Sequence, residues 1–310
     1  MILACGEALI DFISQKDSSG NILYEPCPGG SPFNTAVTIG RTGVPVGFLG
    51  RLSNDMFGDL LMDYINQNKI KPAFVLRSNE PTTLSFVKKR DDKTSEYAFY
   101  AQNSATWNIV KNDIPPRLSQ KIKCFQFGSI SMTMQPFADT VEDFIAREKD
   151  NIIISFDPNI RPGMIKNHQA YLEKFEKWSR CCSIIKMSDE DLEWLYPGSS
   201  LEDGLEKILN LGAVLAIVTC GEKGVIARNK KAAVAVPIYD LPLVDTVGAG
   251  DTFHGTLLAW LYRQGLMERS LLYQLSEEKL REAVQYAIKA AAINCSRRGA
   301  DPPWADQMQD

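Results

Sequence analysis

Asp245-Thr246-Val247-Gly248-Ala249-Gly250-Asp251 joins an extended Leu243-Val244 entry to a stretch in which Phe253, Leu257, Leu258 and Leu261 recur at three- and four-residue spacing. That spacing predicts a helix beginning near Asp251. Small residues ahead of a helix let several backbone N–H groups point at one spot, and the helix N-terminus adds partial positive charge, so a phosphate fits there. Asp251, in the first turn, would then stand beside the anion. The same residues also suit a tight turn with Asp251 as N-cap. The rest of the chain decides between the two.

Outward from this turn, short apolar runs alternate with segments of helical period. Residues 2–4, 46–49, 124–127, 152–156, 183–187 and 214–218 read as strands, and the alternation is that of a mostly parallel sheet covered on both faces. A helix is expected from about Pro32, with Phe33, Val37 and Gly40 on one face and Gly43 as terminator. Another, over residues 278–295, carries Leu280, Val284, Ala287, Ile288 and Ala291 on one stripe. Two stretches break the rhythm, from about 13 to 27 and from about 82 to 107. In the second, Leu84, Phe86, Tyr97, Phe99 and Tyr100 suggest a β-ribbon, so both are expected in a small sheet beside the main one. No internal repeat or flexible linker divides the chain, which is read as one domain over residues 1–310.

Composition narrows the classes. The 310 residues are 45% hydrophobic and 23% charged with a net charge of -4, ordinary for a globular enzyme, and Lys and Arg form no long basic block. A nucleic-acid partner is therefore not expected. Seven cysteines include no C-x-x-C pair, which gives zinc no support and suits a reducing compartment. The amino terminus lacks the basic and apolar regions of a signal peptide, and the longest apolar stretch, residues 213–218, is far too short to span a bilayer. The expectation is a cytoplasmic protein with no membrane contact. Neither G-x-x-x-x-G-K-[ST] nor a G-x-G-x-x-G after a first strand occurs, which sets aside Walker-type and dinucleotide-binding folds.

In open α/β sheets ligands sit beyond the carboxyl ends of the strands. Polar residues gather there: Asp157, Asn159 and Arg161 after one run, Lys186 and Ser188 at another, Thr219 and Gly221 at a third. Gly29-Gly30-Ser31-Pro32-Phe33-Asn34 is a second glycine-rich helix entry. Its glycines permit close approach to the backbone, and Asn34 can both donate to and accept from a hydroxyl. Asp11 is set in the apolar string Leu9-Ile10-Asp11-Phe12-Ile13, where a carboxylate needs partners that either sugar hydroxyls or a salt bridge would supply. Thr219-Cys220-Gly221-Glu222-Lys223-Gly224 reads as a strand-ending turn or part of a nucleotide site, and Ser188-Asp189-Glu190-Asp191 as an N-cap with an acidic first turn. His168 and His254 have no ligand partner at suitable spacing and are read as surface or packing residues.

Taken in order, these motifs resemble the ribokinase-like (PfkB) carbohydrate kinases over essentially the whole chain. The resemblance is carried by G-E-x-L-I-D-F at residues 6–12, GGSPFN at 29–34, GRLSNDMFG at 50–58 and DTVGAGDTFHG at 245–255. Within the family, DPNIR at 157–161, KMSDED at 186–191 and VTCGEKG at 218–224 look most like fructokinases. The resemblance implies a ribokinase-like three-layer sandwich with a small β-sheet lid, and ATP-dependent phosphorylation of a free sugar, fructose foremost. It implies Asp251 as catalytic base, with Gly248, Ala249 and Gly250 as an anion hole around the transferred group. Asp11, Gly29, Gly30, Asn34 and Arg161 would hold the sugar, and Lys186, Ser188, Thr219, Gly221 and Gly224 would serve ATP. Mg²⁺ would travel with the nucleotide, with Asp191 touching it through water. A K⁺ ion beside the anion hole would involve Asp245 and Val247 and backbone near Arg298 and Gly299. Related lids often clasp a second subunit, so a homodimer is expected by analogy.

Two departures from the family pattern stand out. The N-x-x-E element is Ser188-x-x-Asp191, and Phe33 replaces a small residue, either narrowing the pocket or filling the core. Ser31 stands where ribokinases and phosphosugar kinases often carry Lys, which favours an unphosphorylated acceptor. Arg161, Lys88 and Arg90 are the basic residues a phosphorylated acceptor would use. The alternatives within the family are 2-keto-3-deoxygluconate, ribose and nucleoside kinases, and outside enzymes an inactive sugar- or ATP-binding regulator.

Overall fold

The computed structural model describes residues 1–89 and 95–308; Arg90 and the Lys88 side chain lie outside them. Ten strands form the main sheet: β1 (Ile2–Cys5), β4 (Val46–Ser53), β5 (Ile70–Lys71), β6 (Val75–Ser78), β9 (Cys124–Gly128), β10 (Ile153–Asp157), β11 (Ile184–Ser188), β12 (Leu215–Thr219), β13 (Val225–Asn229) and β14 (Ala233–Val236). Their order is β14-β13-β12-β11-β10-β9-β1-β4-β5, with β6 also on β4. All pairs are parallel except β12 with β13 and β13 with β14. The carboxyl ends of β1, β9, β10, β11 and β12 therefore share one edge of the sheet, where the polar residues of the sequence were expected to collect.

Side chains alternate along each strand, which gives the sheet two buried faces. Ile2 and Ala4 point into a core with the helices α1 (Ser31–Arg41), α2 (Met56–Gln67), α7 (Ala249–Arg263), α8 (Arg269–Tyr273) and α9 (Glu277–Cys295). Leu3 and Cys5 point into the other, with α3 (Phe137–Glu148), α4 (His168–Ser179), α5 (Asp189–Leu195) and α6 (Leu201–Leu211). This is the expected three-layer sandwich. Phe33 lies fully buried on α1 with its ring centroid 5.2 Å from that of Phe48 and 6.1 Å from that of Tyr64. It fills the helix–sheet core. Among the described residues, no helix is long and apolar enough to cross a membrane.

Side chains cap α2, α4, α5, α6 and α9, from Asp55, Asn167, Ser188, Ser200 and Ser276 respectively. By contrast α1 and α7 start at Gly30 and Gly248, at φ 109° and 74°, with no capping side chain. On α7 this leaves the amides of Gly250 and Asp251 available to a ligand, whereas on α1 the Ser31 amide donates to Glu7 Oε1 at 3.3 Å.

A second sheet, ordered β3-β2-β7-β8, contains β2 (Leu9–Lys16), β3 (Ile22–Gly29), β7 (Leu84–Lys89) and β8 (Ser95–Tyr100). It confirms the small sheet but corrects its limits. The lid strand starts at Leu9 rather than near residue 13, because the chain turns at Gly6 directly after β1 and pairs with Pro28 and Gly29 from the first residues onward. Asp11 therefore belongs to the lid. At the other end the ribbon stops at Tyr100, and Ala101, Trp107, Leu9 and Ile130 form a small core at the lid base. Trp107 Nε1 donates to Ala101 O at 2.7 Å, which fixes that return.

Candidate active site

The helix of the opening motif begins at Ala249, so Asp251 sits in its first turn and Gly248, not Asp251, is the N-cap. Thr252 N donates to Gly248 O at 2.8 Å and Ala249 N to Thr246 O at 3.2 Å. The amides of Gly250 and Asp251 have no protein acceptor among the described residues. A methyl group at Gly248 would meet Ala300 Cβ at 2.6 Å, and one at Gly250 would meet Lys186 Nζ at 2.8 Å. This is a cradle that side chains would fill, with free N–H donors at its floor, and it fits a phosphoryl group. Ala249 contributes shape but has its amide already engaged.

Asp251 is held from α1. Ser31 Oγ donates to Oδ1 at 2.6 Å and Asn34 Nδ2 donates to Oδ2 at 2.9 Å. Burial pushes its pKa up from the ordinary carboxylate value, while these two donors pull it back. The result is an oriented carboxylate able to take a proton.

Asp11 reaches towards this pair from the lid. A Cβ at Gly29 would collide with its carboxylate, so the glycine is what lets Asp11 lie across the backbone at the start of α1. Burial raises the Asp11 pKa to about 6, with Ser85 and the Arg161 charge opposing the rise and Asp251 adding to it. Ser85, Arg161 and Asp251 thus lie near enough to Asp11 to act on its charge. Gly30 is equally constrained, since a methyl there would sit 2.5 Å from Glu7 O. Arg161 Nη1 donates to its neighbour Asn159 Oδ1 at 2.8 Å, in a loop where Asn159 adopts φ 38°.

Ser188 and Thr219, expected to serve ATP, end the adjacent strands β11 and β12 in register. Ser188 Oγ accepts from Asp191 N at 3.0 Å, and Asp191 Oδ2 accepts from Ser188 N at 3.1 Å. Asp191 Oδ1 accepts from Ile160 N at 2.8 Å. Asp191 thus ties the DPNIR loop to α5, and burial pushes its pKa up. Gly221, at φ 51°, has open space where a side chain would be, whereas Gly224 packs against Val236 and Pro237 so closely that it serves the β13–β14 hairpin. Lys186, expected near ATP, is buried with Asp157 Oδ2 2.9 Å from Nζ.

The proposed K⁺ loop is also brought together. Val247 N donates to Asp245 Oδ1 at 3.2 Å and Gly299 N to Asp245 Oδ2 at 3.1 Å, while Val247 O accepts from Asn294 Nδ2 at 2.8 Å. Both Asp245 carboxylate oxygens and Val247 O thus already accept hydrogen bonds within the loop.

Three participants escaped the sequence reading. Glu7 is buried and accepts from Ser131 Oγ at 2.6 Å and from the amides of Ser31 and Ser131 at 3.3 Å. It pins the start of α1, and burial raises its pKa to about 6. Ser31 was weighed for what it is not, a lysine, rather than for its bond to Asp251. His254, read as a surface or packing residue, is the latter: it is fully buried, with Nε2 2.7 Å from Ser155 Oγ and Nδ1 3.8 Å from Asp157 Oδ2, contacts the reading did not foresee. Its place one turn beyond Asp251 on α7, facing β10, was the available signal. His168 is exposed, its Nε2 2.6 Å from Trp194 O.

Comparison with known proteins matches residues 1–307 to the pfkB family carbohydrate kinase model. A fructokinase from Rhizobium leguminosarum bv. trifolii is 35% identical over 281 residues, covering 91% of this chain and 86% of that protein. Among solved structures, a fructokinase with bound ATP from Xylella fastidiosa superposes with a TM-score of 0.90 at 26% identity, covering 99% of this chain and 96% of that one. A fructokinase double mutant from Vibrio cholerae O395, in fructose, ADP and potassium ion bound form, gives a TM-score of 0.84 at 26% identity, with 96% and 93% covered.

Proposed function

This chain belongs to the pfkB family of carbohydrate kinases, and we propose that it transfers the γ-phosphoryl group of ATP to fructose, giving fructose 6-phosphate and ADP. The observation that carries the reading is one carboxylate, Asp251, oriented by Ser31 and Asn34 at the uncapped start of α7, beside two unengaged amides. Fructokinase relatives and the ATP-bound and fructose-bound neighbours support the choice of substrates.

Asp251 takes the proton of the attacking sugar hydroxyl as its oxygen bonds to the γ-phosphorus and the β–γ bridging bond breaks, its electron pair leaving on ADP. Proton removal needs only an ionised base within hydrogen-bond reach. The amides of Gly250 and Asp251 and the helix dipole face the charge on the equatorial oxygens. Asp11, Asn34 and the backbone at Gly29 and Gly30 hold the other sugar hydroxyls, with Arg161 beside Asp11. Ser188, Thr219 and Gly221 line the nucleotide side. Asp191 would hold Mg²⁺ carried by the nucleotide through water, where the ion would neutralise charge on the ATP phosphates, and Asp245, Val247 and the backbone at Gly299 would hold K⁺. The exposed lid residues Ile22, Leu23, Tyr24 and Tyr100 support a second subunit across the lid. The seven cysteines are all unpaired thiols, which supports work in the cytoplasm.

A free ketose is favoured because Ser31 is neutral and its hydroxyl is spent on Asp251. A phosphorylated acceptor brings about two negative charges and needs basic partners of its own. ADP release under saturating Mg-ATP, measured across fructose, glucose, ribose, 2-keto-3-deoxygluconate, fructose 6-phosphate and adenosine, is expected to give fructose the highest kcat/KM. Tenfold better use of fructose 6-phosphate or ketodeoxygluconate would refute the acceptor, and no turnover with any sugar would leave the inactive-regulator alternative standing.

Asp11→Ala is expected to raise the sugar KM by about 5- to 150-fold, from roughly 1 to 3 kcal/mol of unpaired hydroxyls, with the ATP KM little changed. Equal rises in both constants would remove Asp11 from the sugar site.

A further inference from the structure

Lys186 stands in an unusual place for a cation. It comes up from β11 beneath the first turn of α7, so close that a methyl at Gly250 would stand 2.8 Å from its Nζ. A positive charge at a helix N-terminus opposes the macrodipole. The side chain is nevertheless buried, and of its three donors one is taken by Asp157 Oδ2 at 2.9 Å. Asp157 Oδ1 has no partner among the described residues. A pair of purely structural purpose would have its remaining polar atoms satisfied and would lie away from a helix start.

We propose that Lys186 is a positioning residue for phosphoryl transfer, adding positive charge beneath the anion cradle at Gly250 and keeping Asp251 ionised. This deepens, and rests on, the kinase reading above. The charged groups around it come from every packed element. Asp157 on β10, Asp191 on α5 and Asp251 on α7 face the ammonium as carboxylates. His254, also on α7, cannot share the task, because burial first and Lys186 second hold its pKa down to about 3 and leave it neutral. Ser31 and Asn34 on α1 donate to Asp251 without carrying charge, and Arg161 stands by Asp11 on the lid. Burial, the largest effect on Lys186, works against its charge, yet the three carboxylates hold its pKa above the usual value. With that charge gone, three carboxylates would share one buried space, and Asp251 would bind its proton more tightly.

The test compares the pH dependence of kcat for wild type, Lys186→Gln and Lys186→Arg, using whichever sugar the wild type phosphorylates best. Removing a positive charge raises the pKa of a neighbouring acid, so the acid limb of Lys186→Gln should move upward by about one pH unit or more, with Lys186→Arg returning it towards the wild-type position. If Lys186→Gln loses thermal stability while its acid limb stays in place, the residue is structural and the proposal falls. Should Lys186→Gln fail to fold, Gly250→Ala decides. Its methyl, 2.8 Å from Nζ, displaces the ammonium with the charge inventory unchanged, and an acid limb that does not rise there overturns the proposal. A wild type that phosphorylates no sugar defeats the kinase reading itself, whereas an active wild type with unmoved limbs in the variants defeats only the role of Lys186.

Discussion

Asp251→Asn should lose about 10² to 10⁴ in kcat while keeping its fold and its ATP affinity. The replacement is nearly isosteric, and its carbonyl can still accept from Ser31 or Asn34, so the two helix starts remain tied. What disappears is the proton acceptor. Because burial raises the Asp251 pKa, the wild-type acid limb should lie above the ordinary aspartate range and vanish in the variant. Nucleotide affinity from calorimetry together with turnover from coupled ADP release gives the answer. Near-normal turnover in Asp251→Asn would remove the residue from the chemistry.

Phe33→Ala should be the costliest core change near the site, destabilising the protein by about 3 to 5 kcal/mol. The ring is wholly buried and meets Phe48 edge-on, so its loss leaves a cavity between α1 and β4 rather than widening a pocket. Urea unfolding should show a lower midpoint at unchanged slope. The ranking of sugar acceptors should stay the same in the folded fraction. A changed ranking with little loss of stability would mean that the ring shapes the acceptor site.

The main sheet was legible because its strands are short apolar runs separated by periodic helices; five of the six parallel strands expected from sequence lie within one residue of their observed limits, while the one expected over 46–49 runs on to Ser53. The lid was legible as an interruption, though its first strand was cut short at residue 13. Leu9 and Ile10 look like interior residues, and nothing local marks the turn at Gly6 as the crossing from one sheet to the other. Within the site, residues with recognisable motif positions came together, including Asp11, Asn34, Asp251 and the Asp245–Gly299 contact. Glu7, His254 and the Ser31 bond did not emerge, because each depends on an element more than 20 residues distant. Local pattern carries no record of such pairings. Lys186 and Ser188 were assigned together to ATP by the family resemblance; the structure places the lysine under Gly250 and the serine at the end of its strand.

Asp11 belongs to the small sheet, whereas Asp251 stands on α7, packed against the large one. On the proposed function, a sugar held by both carboxylates would bridge two parts of the molecule that also meet at the Gly29-Gly30 link, in the edge-on Phe12–Phe57 contact and in the base packing around Trp107. Recognition of the acceptor and its contact with the small sheet would then be one event. A water bound at one carboxylate would form no such bridge. On that reading, commitment of ATP would depend on the molecule that is to receive the phosphate, a fidelity drawn from where the chain crosses between its sheets.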